Sequence, residues 1–230
     1  MHVVLQMNHI FNGRIIMFDP SKFVVKAAKP LPVLLLLDTS GSMYGEKIEN
    51  LNHAVRNMIK AFSSADTLET EILVSIITFG PVTEYLPFTQ ASAISWHDLD
   101  ITGDTPIGAT LKKAKEIIED KNIVPSRAYR PTVVLVSDGN PTDSWKRALQ
   151  AFVEEGRSSK CDRMAMAIGD DADEEMLGAF IAGTNNKLFH ADDASQIHDF
   201  FKFVTMSVTT RTKSQNPNII PAATDLYDDL

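Results

Sequence analysis

The stretch Leu31-Pro32-Val33-Leu34-Leu35-Leu36-Leu37-Asp38-Thr39-Ser40-Gly41-Ser42 carries the reading of the chain. Its first seven residues are apolar without alternation, the pattern of a strand covered on both faces of a sheet. The run stops at a carboxylate, with hydroxyls two and four positions further on and Gly41 between them to let the loop curl. Three hard oxygens can thereby turn toward one point at the end of a strand.

Outward from this stretch, apolar runs alternate with segments of helical period. Ile48, Leu51, Val55, Met58, Ile59 and Phe62 recur at three and four, so a helix follows the first strand. Residues 71–79 are strand-like, and 83–88 can pair back on them after Gly80-Pro81, giving one antiparallel edge strand. A second helix carries Ile107, Leu111, Ala114, Ile117 and Ile118, with Thr105 as N-cap and Pro106 at its first position. Residues 132–136 form the next buried strand, ending at Ser137-Asp138-Gly139. A helix over 142–156, a strand over 163–168, a helix from about Asp173, a strand over 187–190 and a helix over 194–209 complete the series. The order β-α-β-β-α-β-α-β-α-β-α predicts an α/β fold, a doubly wound, mostly parallel central sheet with its ligand site beyond the carboxyl ends of the central strands.

That alternating region, residues 31–210, is expected as one domain. Residues 1–30 form an N-terminal extension: a hairpin of 3–6 with 14–18, a remnant of expression, or a docking segment. Residues 211–230, with Ser, Gln, Asn and Pro followed by Asp225, Asp228 and Asp229, are expected as a flexible acidic tail.

Of the 230 residues 44% are hydrophobic, enough for a sizeable core and too many for a disordered chain. The net charge of −8 leaves no broad basic surface, which argues against a nucleic-acid partner. Cys161 is the one cysteine, so neither an intramolecular disulfide nor a cysteine-rich metal site is available and a reducing compartment fits. His9, Asn12, Arg14 and Asp19 interrupt the early apolar runs, and no run approaches membrane-spanning length. The expectation is a cytoplasmic protein without a membrane span.

Two more polar groups fall at equivalent element ends, Thr105 in Gly103-Asp104-Thr105-Pro106 and Asp138 in Ser137-Asp138-Gly139. If the strands 31–37 and 132–136 are neighbours, Asp38, Ser40, Ser42, Thr105 and Asp138 converge above the switch point. Two carboxylates and three hydroxyls, with no sulfur or imidazole, favour Mg²⁺, with Mn²⁺ as the alternative. Five groups leave an octahedron open to solvent or to an outside ligand. None of the six histidines lies in a metal-binding spacing.

On these residues the chain resembles the von Willebrand factor A domain with a metal-ion-dependent adhesion site, over about residues 31–210. The Asp-x-Ser-x-Ser element is Asp38, Ser40 and Ser42, the separate threonine Thr105 and the second aspartate Asp138. The sequences 35–43 and 45–48, with the strand Ser75-Ile76-Ile77-Thr78-Phe79, are similar to the bacterial tellurite-resistance-associated type. The resemblance implies a Rossmann-like fold, no enzymatic activity, and a metal-dependent protein–protein interaction module whose cation takes a Glu or Asp carboxylate from a partner. It also implies a stress-response or phage-defence setting, with a kinase-like protein and a PP2C-type phosphatase as partners. In some relatives, movement of the second aspartate between direct and water-mediated coordination couples to the last helix, here 194–209.

Other residues have plainer readings. The acids from Asp170 to Glu175 complement a helix N-terminus or rim the metal face. Glu46 and Asp143 are solvated loop acids or supports of a bound water, and Asp104 is a solvated loop acid or a support behind the metal ligands. Tyr44 contacts a partner or packs, Met164 and Met166 belong to the core, and Lys112, Lys113, Lys115 and Lys121 line a solvated helix face. The competing function is a Mg²⁺-dependent phosphoryl hydrolase with Asp38 as nucleophile. Phosphotransfer enzymes that begin this way usually place a second aspartate two residues on, where this chain has Ser40.

Overall fold

The computed structural model describes residues 27–221, together with the backbone of 10–11 and 14–15. A six-stranded sheet has the order β5-β4-β3-β6-β7-β8. Its strands are β3 (Lys29–Asp38), β4 (Thr70–Phe79), β5 (Thr83–Gln90), β6 (Thr132–Ser137), β7 (Asp162–Ile168) and β8 (Phe189–Ala191). All neighbours are parallel except β4 and β5, the antiparallel edge pair expected from the turn at Gly80-Pro81. A separate two-stranded ladder joins β1 (Ile10–Phe11) to β2 (Arg14–Ile15). The other half of the expected N-terminal hairpin, 3–6, lies outside the described residues, as do 222–230 of the expected tail.

Among the described residues five α-helices cover the sheet: α1 (Glu46–Ser63), α2 (Ile107–Glu119), α3 (Lys146–Glu154), α4 (Glu174–Ile181) and α5 (Ala194–Lys213). The continuous apolar run of β3 divides by the period of a strand. Leu31, Val33, Leu35 and Leu37 pack with α1 and α5, whereas Leu34 and Leu36 pack with α2, α3 and α4. Each of these leucines is fully buried, worth roughly 2 kcal/mol per side chain relative to exposure. β3 pairs with β4 on one side and β6 on the other, so the chain reverses direction across the sheet at β3. The switch point therefore lies between the ends that carry Asp38 and Asp138. Among the described residues no helix is long and apolar enough to cross a membrane.

Helix boundaries depart from the sequence reading where side chains find distant partners. α3 begins at Lys146, not 142, because Thr142 and Asp143 are committed to the loop and first turn of α2. Thr105 does not cap α2: the helix begins at Ile107, after Pro106, and no side chain of its own caps it. α5 continues to Lys213 because Arg211 and Thr212 are buried. Arg211 donates to the carbonyls of Pro217 and Arg130, at 2.7 and 2.6 Å, and to Thr132 Oγ1 at 2.8 Å. Lys115 leaves the solvated face expected of it and donates to the Ala151 and Glu155 carbonyls at 2.9 and 2.7 Å, where a cation suits the end of α3.

Candidate metal centre

Asp38 ends β3 and is fully buried. Its Oδ1 accepts from the Ser40 amide at 2.9 Å and its Oδ2 from Ser137 Oγ at 2.7 Å. Burial pushes its carboxyl above the ordinary range, against the hydrogen bonds from Ser40 and Ser137, and the neighbouring Asp138 charge pushes the same way as burial. Beyond Asp38, the chain turns through a short 3-10 segment, Gly41–Met43, anchored by buried Met43. That turn brings Ser40 Oγ within 3.0 Å of Ser42 Oγ, and Ser42 donates to Asp138 Oδ1 at 2.6 Å. Four of the five expected groups thus share one hydrogen-bonded chain, made possible by the pairing of β3 with β6.

Thr105, buried, reaches the same place from the loop before α2. A Cβ built on Gly139 would stand 3.7 Å from Thr105 Oγ1 and 3.8 Å from Ser42 Oγ, so the two hydroxyls flank the space that this glycine leaves open. The Thr105 loop is tied to the Asp38 loop by bonds from Gly41 N to the Gly103 carbonyl at 3.2 Å and from Thr102 N to the Thr39 carbonyl at 2.6 Å. Gly103, at φ +61, has no room for a Cβ because of the Gly80 carbonyl, and Gly80 has none because of the Thr102 carbonyl. On its other side Thr105 offers its carbonyl to Thr142 N at 3.0 Å. Asp143 accepts from Gly108 N at 2.7 Å and Ala109 N at 2.8 Å. It is a helix cap supplied from another loop rather than a merely solvated acid.

The five groups are hard oxygen donors, the set suited to a divalent cation of the Mg²⁺ or Mn²⁺ kind. No group of three or more His, Cys, Asp or Glu that could hold a metal ion occurs among the described residues. The family model of the von Willebrand factor type A domain matches residues 33–203. The chain belongs to this family.

This VWA domain is 24% identical to the inter-alpha-trypsin inhibitor heavy chain H2 of Sus scrofa, over 91% of the chain but 25% of that protein. The chain thus spans about a quarter of the curated relatives it matches. Among solved structures, the ArnB paralog VWA2 from Sulfolobus acidocaldarius superposes with a TM-score of 0.58 at 17% identity, covering 79% of this chain and 46% of that one. Proximal thread matrix protein 1 from the mussel byssus, with a zinc-occupied MIDAS motif, gives a TM-score of 0.54 at 14% identity, covering 78% and 48%. At these identities the structural likeness concerns the fold.

Around the candidate centre of the VWA domain, Tyr44 is 83% exposed, so its packing alternative is set aside. Glu46 and Asp104 are exposed, and Asp173 caps α4 by accepting from Met176 N at 2.9 Å, with Glu174 and Glu175 in the first turn. The residue that sequence reasoning passed over is Lys47, whose Nζ donates to Asp138 Oδ2 at 2.6 Å. A signal for it was present: a lysine in the first turn of α1 opposes the helix dipole, and a broken local rule marks a residue engaged elsewhere.

Proposed function

We propose that this VWA domain is a metal-dependent protein–protein interaction module. A divalent cation held by Asp38, Ser40, Ser42, Thr105 and Asp138 takes a Glu or Asp carboxylate of a partner protein as a further ligand. The observation that carries the reading is the continuous chain from Asp38 through Ser40 and Ser42 to Asp138, with Thr105 across the gap beside Gly139. Hydroxyl donors add no charge, so a dication held by two carboxylates and three hydroxyls keeps an affinity for one more anion. Mg²⁺ is the first choice and Mn²⁺ the second. Zinc joins the comparison because a mussel protein of the same fold carries it.

The setting we infer is a cytoplasmic stress-response or phage-defence complex of the tellurite-resistance-associated type, with a kinase-like protein and a PP2C-type phosphatase. Its support is the sequence likeness at 35–43, 45–48 and 75–79. The role is binding without catalysis. Phosphoryl transfer through Asp38 is less well supported, because Ser40 stands where enzymes of that kind place a second aspartate.

The test is thermal unfolding in EDTA, Mg²⁺, Mn²⁺ and Zn²⁺, for the wild type and Asp38→Ala. A metal at a hundred times its Kd adds about 2.7 kcal/mol, and the variant loses that gain. Equal unfolding of the wild type with and without metal overturns the reading. Affinity capture with and without EDTA then identifies the partner.

A further inference from the structure

Lys47 stands where a second cation is least expected, beside a carboxylate of a candidate metal centre. Its ammonium donates to Asp138 Oδ2 at 2.6 Å, while Ser42 donates to Oδ1 of the same fully buried carboxylate at 2.6 Å. The ammonium passes close to Gly169, where a Cβ would lie 3.7 Å from Nζ, and the side chain stays 36% exposed. On the far side it lines a cleft of about 90 Å³ with Glu46, Asp192 and Asp193. Each oxygen of Asp138 accepts one hydrogen bond and keeps a further lone pair, so Lys47 and a bound dication can coexist on the same carboxylate.

The charges then decide what Lys47 does. Asp38 and Asp138 contribute −2 and Lys47 +1, which leaves −1 before a dication and +1 after it. Without the lysine the loaded centre is neutral. Resting on the metal-dependent reading above, we propose that Lys47 sets the charge of the centre, loosening its hold on the metal while strengthening the loaded centre's hold on a partner carboxylate. The two effects have opposite signs because the same positive charge repels the cation and attracts the anion. Lys47 is a positioning and charge-setting residue, not a ligand.

The experiment compares Lys47→Gln, which keeps a donor for Asp138 without the charge, with Lys47→Met and Lys47→Arg. Mn²⁺ affinity is measured by calorimetry, and acetate affinity at saturating Mn²⁺ by relaxation of the acetate methyl protons. In Lys47→Gln the Mn²⁺ Kd is expected to fall about tenfold and the acetate Kd to rise about tenfold, with Lys47→Arg within about twofold of wild type. Lys47→Met follows Lys47→Gln in both, provided it folds, and the Gln variant alone decides the matter if it does not. An unchanged Mn²⁺ Kd in Lys47→Gln, or a weakening of both affinities together, overturns the proposal while leaving the metal-dependent reading intact. A wild-type protein that binds no metal overturns both.

Discussion

The carboxylate of Asp143 caps a helix to which it does not belong, its Oδ1 taking the Gly108 amide at 2.7 Å at the start of α2. Gly108 is where the loop after β6 comes closest, since a Cβ there would stand 2.7 Å from the Ser144 carbonyl. The pair fastens the Thr105 loop to the Asp138 loop. Asp143→Ala is expected to cost about 1–2 kcal/mol in urea unfolding, the value of a lost cap. It should also diminish metal-dependent stabilisation, because Thr105 loses its support. An unaltered urea midpoint would refute the capping role.

Gly139→Ala separates folding from binding. The added methyl makes ordinary contacts with Thr105 Oγ1 at 3.7 Å and Ser42 Oγ at 3.8 Å, and Gly139 is not among the glycines at positive φ. Stability without metal should therefore change by less than about 1 kcal/mol. The extra stability conferred by Mg²⁺ or Mn²⁺ should shrink, because the methyl enters the space between two donors. Thermal unfolding with and without each metal reads both quantities.

At the opposite end of β6 from Asp138, Arg211 is fully buried and its three donated bonds hold Pro217, Thr132 and Arg130 together. Arg211→Met is expected to destabilise by about 3 kcal/mol or more, since it orphans three acceptors and removes the cation facing buried Asp162. Arg211→Lys recovers only part, because an ammonium cannot reproduce the fork of a guanidinium. Metal-dependent shifts should persist in whichever variant folds. Urea unfolding supplies the first measurement and thermal unfolding the second.

Cys161 is buried, and burial pushes its thiol up to about 12, against the lowering effect of the Arg163 cation. The unfolded thiol, near 9.0, gives up its proton more readily than the folded one. The thiol's contribution to stability is therefore complete below about pH 9 and is lost as pH rises toward about 12. Arg211, lowered by burial to about 10, has the opposite slope at high pH, so the effect must be read as the difference between wild type and Cys161→Ala. At pH 8 the native thiol should resist alkylation and the denatured one should react rapidly.

Much of the sheet was legible because β3 and β6 are unbroken apolar runs, and their end residues place Asp38 and Asp138 without further information. Ser40 and Ser42 followed from local spacing, and the closeness of Thr105 followed once β3 and β6 were neighbours. The features that escaped the sequence depend on pairings across the fold. Asp143 meets Gly108 from 35 residues away, Lys115 meets Ala151 across 36, and Arg211 meets Thr132 across 79. Hydrophobic period locates a helix face but says nothing about which carbonyl a lysine on its margin will find. Lys115 therefore looked solvated, and Arg211 fell in a stretch whose polar composition resembled a tail. Lys47 lies within 45–48, a stretch whose sequence shows only family likeness, and its bond to Asp138 depends on the packing of α1 beside the end of β6.

β6 leads at one end into Asp138 and is clasped at the other, through Thr132, by Arg211 of α5. Traction exerted by a partner on the Asp138 end would run lengthwise along this strand. β6 lies between two parallel neighbours, so such a pull acts in shear on both ladders at once and cannot peel them open bond by bond. The clasp would pass the remaining tension to α5, so that a load applied at Asp138 would be borne by that helix as well as by the sheet.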